Sequence, residues 1–485
     1  MQPVLTNDRM KRADRMTIES GTPSLVLMER AAEAVVAELH LSFDLRRVLV
    51  VCGQGNNGGD GYAVADILRH QGINVTVFAP CGTPQTPEAI HQAHRAAKSG
   101  VSVTDNPELA TYSVIVDALF GIGFHPPLPE AAKRFFIAAH RAGVPVLAVD
   151  VPSGVGATDC DDAAPVAAVT VTFAAAKPQH YLYPGAFHTG RLVVAEIGIA
   201  TDTADIFVST ADDLRLIPPR RADADKGKFG KVLAVVGSAD MPGAGYLAAK
   251  AAYRVGCGLV ELFGDRTTTR TIGAMLPEAV LRPDAFSDPQ KLLSRAASVH
   301  VVLAGCGLGI TPTRKRAIGA LVRQAAVPLV LDADALNLFG QNFPKADVPV
   351  VVTPHVGEFH RMTGLSVAEI KRDPIGHARE FARKTGYTVL LKDARSVITD
   401  GATAFINPTG NCGMATAGSG DVLAGIVAGL IAQGAKPFDA ARLGAYLHGA
   451  AGDLAKQQRG EYGLMASDIS QNAEIILDRL NEVLR

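Results

Sequence analysis

Two glycine-rich segments, each followed by an apolar run with helical character, carry the residues of this sequence that are best suited to chemistry. The first reads "GQGNNGGDGYAVADIL" and begins at Gly53, and the second reads "AGSGDVLAGIVAGL" and begins at Ala417. Backbone N–H groups at the start of a helix have no intrahelical partner, and the helix dipole favours negative charge there. Both segments therefore predict a site for an anion such as a phosphate.

The second segment adds a candidate base to its predicted anion site. We expect the N–H groups of Gly418, Ser419 and Gly420 to face a transferring phosphoryl group, and Asp421 follows them directly. Phosphoryl transfer needs stabilisation of charge and a group that accepts the hydroxyl proton, and this pairing supplies both. The alternative is that Asp421 only caps the helix, as aspartates commonly do.

Polar side chains in the first half follow predicted strands at the point where each strand ends. Asp117 lies in "VIVDALFGIGF", Asp150 and Ser153 lie in "AVDVPSG", and Asn57 lies in the first glycine-rich segment. The carboxyl ends of parallel strands form the binding crevice of an open α/β sheet. We therefore expect these side chains to converge on one site, although a single aspartate at a strand end is commonly a cap or turn residue.

Short β-rich runs alternate with amphipathic helical patterns along most of the chain. Fully apolar strands separated by helices indicate parallel sheets that are covered on both faces, so the predicted fold class is α/β. The alternation lapses around Pro218 and Pro219, where polar residues collect and adjacent prolines prevent helix continuation. We therefore predict a Rossmann-like α/β/α domain at residues 1–213, a linker at residues 214–225 and a second α/β domain at residues 226–485.

Composition favours a small-molecule partner for this chain of 485 residues, which has a formal net charge of −1. A nearly neutral chain has no general attraction for nucleic acid or for an anionic membrane surface. The six cysteines show no C-x-x-C pair and no zinc-ligand spacing, so we expect reduced, mostly buried thiols. The first residues are too charged for a signal peptide, and no apolar run approaches the roughly 18 residues that span a bilayer, so the expected location is the cytoplasm.

Five motifs of the first half, in order, resemble those of the NAD(P)H-hydrate epimerase domain: "LMERAAEAV", "GNNGGDG", "DALFGIG", "DVPSG" and "AAAKPQHYLYPG". The resemblance implies a potassium ion held by Asn57, Asp117 and Ser153, whose oxygens suit a hard cation. It leaves open whether Asp117 is the proton donor and acceptor or only an ion ligand. The implied contacts with the hydrated nucleotide are Asn56, Asn57, Gly58, Gly59, Asp60, Gly121, Ile122, Gly123, Phe124, His125, Pro126, Pro127 and Asp150.

One loop of this half departs from the epimerase pattern. The family usually has an arginine here, in a pattern like G-T-G-L-x-R-P, whereas this chain reads "GIGFHPPL" with Pro126 at that place. The loop therefore lacks the charge of that arginine for contact with phosphate. Lys177 is open to two interpretations, a cation that faces the substrate or a solvated lysine before Pro178.

Motifs from about residue 225 onward resemble the ADP-dependent NAD(P)H-hydrate dehydratase, which has a ribokinase-like fold. They include "AGCGLG", "LDADALN", "TPHVGEF", "LLKDARSVI" and "GNCGMATAGSGDVLAG". The resemblance implies that the hydrated dinucleotide contacts Ala244, Gly307, His355 and Asp421. The implied contacts with the phosphoryl-donor nucleotide are Lys392, Asp393, Ala394, Arg395, Ser396, Gly418, Ser419 and Gly420.

Several positions of the second half differ from the family pattern or allow a second interpretation. Cys412 stands where proline is usual, and Ser419 stands where threonine is usual and preserves the hydroxyl. Asp393 brings a negative charge near the expected nucleotide phosphates. Taken alone, His355 is also consistent with a loop histidine whose hydrogen bonds are satisfied, and Lys392 with a surface charge at a strand end.

The order of the two sets of motifs is similar to that of the bifunctional NAD(P)H-hydrate repair enzymes. The resemblance implies that the second half phosphorylates the C6 hydroxyl of S-NAD(P)HX with ADP, which yields AMP, phosphate and NAD(P)H. It implies that the first half interconverts R- and S-NAD(P)HX, that Mg²⁺ accompanies the nucleotide, and that the protein is a homo-oligomer. Two rivals stay open, a ribokinase-like small-alcohol kinase and an N-terminal domain that only binds a nucleotide or a partner.

Overall fold

The computed structural model describes residues 1–201, 204–220, 223–284 and 286–484, and the chain folds into two compact units. The N-terminal unit runs from Pro3 to Asp205. The C-terminal unit runs from Ile206 onward and includes Met1 and Gln2. Both units are of the α/β class, as the sequence predicts.

Seven parallel strands form the sheet of the N-terminal unit. The first strand of the chain, β1 (Gln2–Val4), is not part of this sheet. The seven strands of the sheet are β2 (Val48–Cys52), β3 (Val75–Phe78), β4 (Ser102–Thr104), β5 (Val114–Ala118), β6 (Val146–Val149), β7 (Val169–Phe173) and β8 (Arg191–Ala195). The helices are α1 (Asn7–Glu19), α2 (Ser24–Ser42), α3 (Asn56–His70), α4 (Pro87–Lys98), α5 (Glu130–Ala142), α6 (Pro178–Tyr181) and α7 (Ala186–Thr189), with a 3₁₀ turn at Leu109–Thr111. The strand order is β4-β3-β2-β5-β6-β7-β8.

The central strands of this sheet are buried along their whole length, which explains their nearly continuous apolar sequence. In β2, Val48 and Val50 pack in a cluster with residues of α2 and α3. Leu49 and Val51, which point to the opposite face, pack in a second cluster with residues of α5. Helices on both faces therefore hold the sheet rigid, and its strand ends are fixed.

The C-terminal unit has a larger sheet and eleven helices within its described residues. Its strands are β9 (Ile206–Val208), β10 (Lys231–Val235), β11 (Leu259–Gly264), β12 (Val280–Pro283), β13 (Val301–Ala304), β14 (Leu329–Leu331), β15 (Val350–Val352), β16 (Thr388–Leu391), β17 (Val397–Thr399) and β18 (Ala404–Ile406). Its helices are α8 (Pro242–Arg254), α9 (Arg266–Met275), α10 (Pro289–Ala296), α11 (Pro312–Gln324), α12 (Asp334–Asn337), α13 (Val356–Thr363), α14 (Val367–Arg372), α15 (Pro374–Thr385), α16 (Ser419–Ala432), α17 (Pro437–Arg459) and α18 (Ala466–Leu484), with 3₁₀ turns at Ala211–Leu216 and Cys412–Met414.

The strands β9 to β18 follow the order β9-β18-β17-β16-β15-β14-β13-β10-β11-β12. All neighbours pair in parallel except β17, which is antiparallel to β16 and to β18. Helix α16 is apolar on nearly all sides and is buried along most of its length. Its glycines let α8 approach closely, since a Cβ atom on Gly425 would lie 2.1 Å from the Ala248 carbonyl oxygen.

The division between the units falls earlier than the predicted boundary at residue 213. Strand β9 pairs in parallel with β18, so residues 206–213 belong to the C-terminal unit. The local pattern of β9 does not reveal this pairing because its partner lies far along the chain. Arg221 and Ala222, within the predicted linker at residues 214–225, lie outside the described residues.

The structure also bears on two expectations from composition. All six cysteines are free, as predicted; Cys52, Cys257 and Cys306 are buried, whereas Cys412 is exposed. Among the described residues, no helix combines the length and the apolar character that crossing a membrane requires.

Candidate active sites

A cavity of about 820 Å³ lies at the carboxyl ends of the strands in the N-terminal unit. Its wall takes residues from α1, α2 and the start of α3, from the loop after β5, and from the segments that follow β6 and β7. The cavity therefore lies where the sequence predicts a binding crevice. The predicted substrate residues on its wall are Asn56, Asn57, Asp60, Gly121, Ile122, Gly123, Phe124, His125 and Asp150.

Four of the predicted substrate residues are not among the described residues that line the cavity: Gly58, Gly59, Pro126 and Pro127. A Cβ atom on Gly58 would lie 2.0 Å from the Gly53 carbonyl oxygen, and one on Gly59 would lie 2.7 Å from Met28 Cε. These two glycines permit close packing at the start of α3, beneath the wall. Pro126 packs near Gly156, and neither it nor Pro127 is among the described residues that line the cavity.

Asn57 and Asp150 meet beside Gly121. A Cβ atom on Gly121 would lie 3.2 Å from Asn57 Oδ1 and 3.3 Å from Asp150 Oδ2, so glycine leaves room for both side chains. Within the described residues, the buried Asn57 Nδ2 atom has no hydrogen-bond partner. An unsatisfied buried N–H donor beside a carboxylate is a position that a hydrogen-bond acceptor of a bound ligand completes.

Asp117 is fully buried at the end of β5 and is not among the described residues that line the cavity. Ser153 donates from its backbone N–H to Asp117 Oδ2 at 2.8 Å and from Oγ to Oδ1 at 2.6 Å. Burial raises the pKa of Asp117 to about 6, although these hydrogen bonds lower it. Asp117 and Ser153 therefore form one unit, but neither is among the described residues that line the cavity, where the sequence predicts both.

Asp150 and Lys177 form a buried ion pair on the cavity wall. Lys177 is 1% exposed, and its Nζ donates to Asp150 Oδ1 at 2.6 Å and to Thr172 Oγ1 at 2.7 Å. The interpretation of Lys177 as a solvated lysine is therefore wrong. Burial alone would raise the pKa of Asp150, but the Lys177 ammonium holds this pKa below its ordinary value.

Asp60 lies on the same wall, but its pKa is shifted in the opposite direction. Burial, with the negative charges of Asp150 and Asp14, raises the pKa of Asp60 well above its ordinary value. The surroundings thus favour the neutral form of one carboxyl group on this wall and the ionised form of another. Pairs whose environments push their pKa values apart are typical of acid–base sites.

In the C-terminal unit, the candidate site lies at the start of α16. Gly418 precedes the helix with φ of 90°, a conformation that favours glycine. Ser419, one of the three predicted anion-binding donors, instead gives its N–H group to the Thr416 carbonyl at 3.3 Å. The helix start keeps the N–H groups of Gly420 and Asp421 for an anion. The Ser419 hydroxyl is buried and lies 3.4 Å from His448 Nε2.

Asp421 lies in the first turn of α16 beside Cys306 and Asp332, and one ligand atom from each of the three lies within 4.8 Å of the others. Burial and the charge of Asp332 raise the pKa of Asp421 to about 6, while Cys306 and Lys392 oppose the rise. A carboxylate that titrates near neutral pH is suited to accept a hydroxyl proton.

Lys392 and Asp332 form a second ion pair, in which Asp332 is buried and Lys392 is partly exposed. Lys392 Nζ lies 2.8 Å from Asp332 Oδ1, which also accepts from Thr353 Oγ1 at 2.8 Å. A Cβ atom on Gly420 would lie 3.1 Å from Lys392 Nζ, so the ammonium faces the first turn of α16. With 18% of its side chain exposed, Lys392 is not the surface charge of the alternative interpretation.

The remaining predicted residues of the C-terminal unit lie in three places. Ala244 and Gly307 are neighbours, since a Cβ atom on Gly307 would lie 2.8 Å from Ala244 Cβ. His355 caps α13 by accepting from Gly357 N at 3.0 Å through Nδ1. The other four, Asp393, Ala394, Arg395 and Ser396, form the turn between β16 and β17.

Sequence reasoning missed several residues that complete these sites. Asp332 follows a predicted strand in "LDADALN", and that position was a usable signal. Nothing local distinguishes Thr172 or Thr353, because their partners lie on other strands. Cys306 was predicted only as a buried thiol, and its place beside two aspartates depends on tertiary structure.

Together, the fold and the two sites define a two-domain α/β protein in which each domain has its own site at strand ends. Residues 24–179 match the family model of the YjeF-related protein N-terminus, and residues 232–474 match that of NAD(P)H-hydrate dehydratase. The chain belongs to the family of bifunctional NAD(P)H-hydrate repair enzymes, as its full-length relatives show.

Relatives with that name match along the whole chain. The enzyme of Moorella thermoacetica is 41% identical, with 99% of this chain and 97% of the relative covered. The enzyme of Escherichia coli is 33% identical, with 97% of this chain and 93% of the relative covered. The similarity therefore extends over both units.

A solved structure supports the fold of the C-terminal unit. It is the ADP/ATP-dependent NAD(P)H-hydrate dehydratase from Bacillus subtilis, co-crystallised with ATP and Mg²⁺. The two chains are 31% identical with a TM-score of 0.52, and the match covers 57% of this chain and 99% of the other. The predicted ribokinase-like dehydratase fold is thereby confirmed.

Proposed function

We propose that this chain repairs hydrated nicotinamide nucleotides. The N-terminal unit epimerises R- and S-NAD(P)HX, and the C-terminal unit dehydrates S-NAD(P)HX to NAD(P)H with ADP, which becomes AMP and phosphate. The observation that carries the proposal is the position of Asp421, a carboxylate with a pKa of about 6 in the first turn of α16. A proton acceptor at a helix N-terminus is the arrangement that phosphoryl transfer to a hydroxyl requires.

In the C-terminal site, the substrate hydroxyl on C6 loses its proton to Asp421 as its oxygen bonds to the terminal phosphorus of the nucleotide. The N–H groups of Gly420 and Asp421 and the Lys392 ammonium stabilise the charge on the phosphoryl oxygens. Phosphate then leaves C6 with the bonding electrons, because it is a much better leaving group than hydroxide. Loss of a proton from C5 restores the double bond of NAD(P)H.

We assign the substrate and nucleotide contacts of this site by position. Ala244, Gly307 and His355 contact the hydrated dinucleotide, and the turn from Lys392 to Ser396 contacts the nucleotide. Mg²⁺ bound with the nucleotide would neutralise phosphate charge. Asp332 would hold this ion through Oδ2, a hard oxygen that accepts only weakly from Cys306 Sγ at 3.8 Å, since Oδ1 already accepts from Lys392 and Thr353.

In the N-terminal cavity, epimerisation proceeds by loss of water from C6 and its addition to the other face of the ring. Asn57, Asp117 and Ser153 would hold a potassium ion, which would supply positive charge for the negative groups of the substrate. The amide oxygen of Asn57 and the hard oxygens of the other two residues fit this ion. Because both Asp117 oxygens accept hydrogen bonds below the wall, we favour the ion-ligand role over the acid–base role.

The same reasoning separates repair from its rivals. A small-alcohol kinase leaves phosphate on an organic product, whereas repair releases it free. A non-catalytic N-terminal domain does not need an ionised and a neutral carboxyl group on one cavity wall. We therefore favour two catalytic units. We also propose that the protein is a cytoplasmic homo-oligomer and that its ligands are small molecules and not nucleic acid.

One experiment tests both activities. Purified protein with ADP, Mg²⁺ and K⁺ is mixed with an R/S mixture of hydrated NADH, and absorbance at 340 nm and free phosphate are followed. We expect full recovery by the wild type, no recovery by Asp421→Ala, and loss of only the R-dependent phase in Asp117→Ala. Replacing K⁺ by tetramethylammonium should slow that same phase. No recovery by the wild type with either ADP or ATP would sink the repair proposal.

A further inference from the structure

Lys177 is a buried cation on the cavity wall whose contacts suggest a role in the chemistry. We propose that Lys177 is a positioning residue of the epimerase site, which holds Asp150 so that the second carboxylate oxygen faces the ring of the hydrated nicotinamide. The inference rests on the proposed epimerase function of this cavity. It adds a role for Lys177, and for Asp150 a role in the chemistry beyond substrate contact.

The hydrogen bonds of Lys177 account for all three of its donors. They go to Asp150 Oδ1 at 2.6 Å, to Thr172 Oγ1 at 2.7 Å and, more weakly, to the Phe173 carbonyl at 3.4 Å. A lysine whose donors all bond within the protein has none left for a substrate. Its contribution is therefore to hold another group.

The group that it holds is fixed in an uncommon conformation. Asp150 has φ of 65°, which is rare for a residue other than glycine and persists only where the surroundings enforce it. His180 Nε2 lies 2.9 Å from the Asp150 carbonyl oxygen, and His180 Nδ1 accepts from the Lys177 N–H at 3.0 Å. Thr172 Oγ1 lies 3.0 Å from Asp150 Oδ1. Main chain and side chain of Asp150 are thus both restrained.

These restraints leave one oxygen of Asp150 for the cavity. Oδ1 is engaged by Lys177 and Thr172, whereas Oδ2 faces Gly121 and Asn57, which line the cavity. The Lys177 ammonium also keeps this carboxylate ionised, because it lowers the pKa of Asp150 despite burial. A fixed negative charge therefore faces the bound ring.

A fixed negative charge suits the reaction at C6. When the C6–O bond breaks, its electron pair leaves with the hydroxyl, which takes a proton from the Asp60 carboxyl on the cavity wall and departs as water. The lone pair on N1 forms the C6=N1 bond, so the ring becomes cationic, and Asp150 Oδ2 stabilises it. Water then bonds to C6 from the other face, the C6=N1 pair returns to N1, and the proton returns to Asp60.

The test compares Lys177→Met, Lys177→Arg and a matched control, Lys133→Met. Lys133 lies 3.0 Å from Asp161 in the same unit and is not among the described residues that line the cavity. The substrate is the R/S mixture of hydrated NADH with ADP, Mg²⁺ and K⁺. The fast S phase reports the C-terminal unit of every variant and serves as an internal control, while the slow R phase reports epimerisation.

We expect Lys177→Met to lower kcat of the R phase by about 10²-fold with little change in KM, because a displaced reacting group costs that much. Lys177→Arg should restore part of the rate, and Lys133→Met should match the wild type.

Other charged groups near Asp150 stay in place in Lys177→Met, so the loss of rate is assigned to Lys177. The neutral His180 packs on Asp150, and Asp60 acts on its charge from α3. Asp60→Asn removes the proton donor and should abolish the R phase. The further ionisable groups on the wall are Lys11, Asp14, Glu88 and His125.

An unchanged R phase in Lys177→Met, or a change in KM alone, would overturn the inference. If Lys177→Met unfolds the N-terminal unit, as limited proteolysis would reveal, Thr172→Val decides. It removes one partner of both Lys177 and Asp150 with little change in shape, and a normal R phase in this variant overturns the inference. Failure of the proposed function is a different result, since the wild type itself would then recover no NADH from the R form.

Discussion

The two units contain the same arrangement of three residue types, a lysine, an aspartate and a threonine. In each, a lysine bonds an aspartate at the end of a strand, and a threonine hydroxyl bonds the same carboxylate oxygen. Lys177, Asp150 and Thr172 form this arrangement in the N-terminal unit. The C-terminal unit repeats it with the following residues: Lys392, Asp332 and Thr353.

The difference lies in what each lysine has left to offer. Lys177 is 1% exposed and its three donors bond within the protein. Among the described residues, Lys392 Nζ has one hydrogen-bond acceptor, Asp332, and 18% of its side chain is exposed. The comparison teaches that the same pair serves to position a carboxylate in one unit and to present a cation to phosphate in the other.

We expect the largest effect from a change of Asp421, which belongs to neither of the two lysine–aspartate–threonine groups. Asp421→Asn keeps the size of the side chain but removes the proton acceptor, so the S phase should slow by about 10²–10⁴-fold. Epimerisation, measured by chromatography of the two epimers, should continue at the wild-type rate. An equal loss of both activities would mean that the two sites do not work separately.

Lys392→Met tests the distinction between the two lysines directly. It removes a donor for phosphate, and loss of one such donor lowers kcat by about 10²–10³-fold. It also leaves the buried Asp332 carboxylate with the Thr353 hydroxyl and the weak Cys306 thiol donor but without a cation, and breaking a buried pair costs about 3–5 kcal/mol in the free energy of unfolding. Stopped-flow kinetics and chemical denaturation measure the two quantities.

A matched control for this variant is Lys456→Met. Lys456 lies 2.6 Å from Glu461, and both side chains are substantially exposed. Surface pairs of this kind contribute little, so neither rate nor stability should change measurably. If Lys392→Met behaves like this control, Lys392 does not present a cation to phosphate and the comparison of the two units breaks.

Much of the fold was predictable because the strands are apolar along their length. Runs such as "RRVLVVCG" and "VPLVLDADAL" correspond to β2 and β14, and their periodicity identifies parallel strands buried on both faces. The position of the division between the units was less accessible. Strand β9 is short, and only its pairing with β18 assigns it to the C-terminal unit.

The candidate sites were predictable where the signal is local and not where it depends on tertiary pairing. The sequence identifies Asp421 because a glycine-rich turn precedes an apolar helix. It does not decide between the two interpretations of Lys177, because the burial of a lysine before Pro178 depends on its contacts with Asp150 and Thr172. The capping role of His355 was readable in principle, since Glu358 follows three residues later as in a capping box.

A smaller effect is expected from Gly420→Ala, which crowds the lysine without removing it. The new Cβ atom would lie 3.1 Å from Lys392 Nζ, so the end of the lysine side chain must shift by a few tenths of an ångström. We expect a loss of about tenfold or less in kcat of the S phase, because small displacements of a reacting group cost less than large ones. Stability should hold or rise slightly, since alanine favours a helix over glycine. A thermal melt beside the kinetic assay separates the two effects, and an unchanged kcat would place phosphate away from this turn.

The smallest effect concerns the residue that sets the C-terminal site apart from the N-terminal one, Cys306. Its thiol lies beside Asp421 and donates to Asp332 Oδ2 at 3.8 Å. The thiol lowers the pKa of Asp421 against the larger effects of burial and the charge of Asp332. Asp421 must be ionised to accept a proton, so the S phase should fall as pH drops through about 6. Cys306→Ala removes the thiol and should move this acid limb upward by a few tenths of a pH unit, because one weak donor contributes little. The measurement is the pH profile of kcat with pure S-NADHX and ADP. A shift to lower pH would mean that the thiol destabilises the ionised form of Asp421, contrary to this prediction.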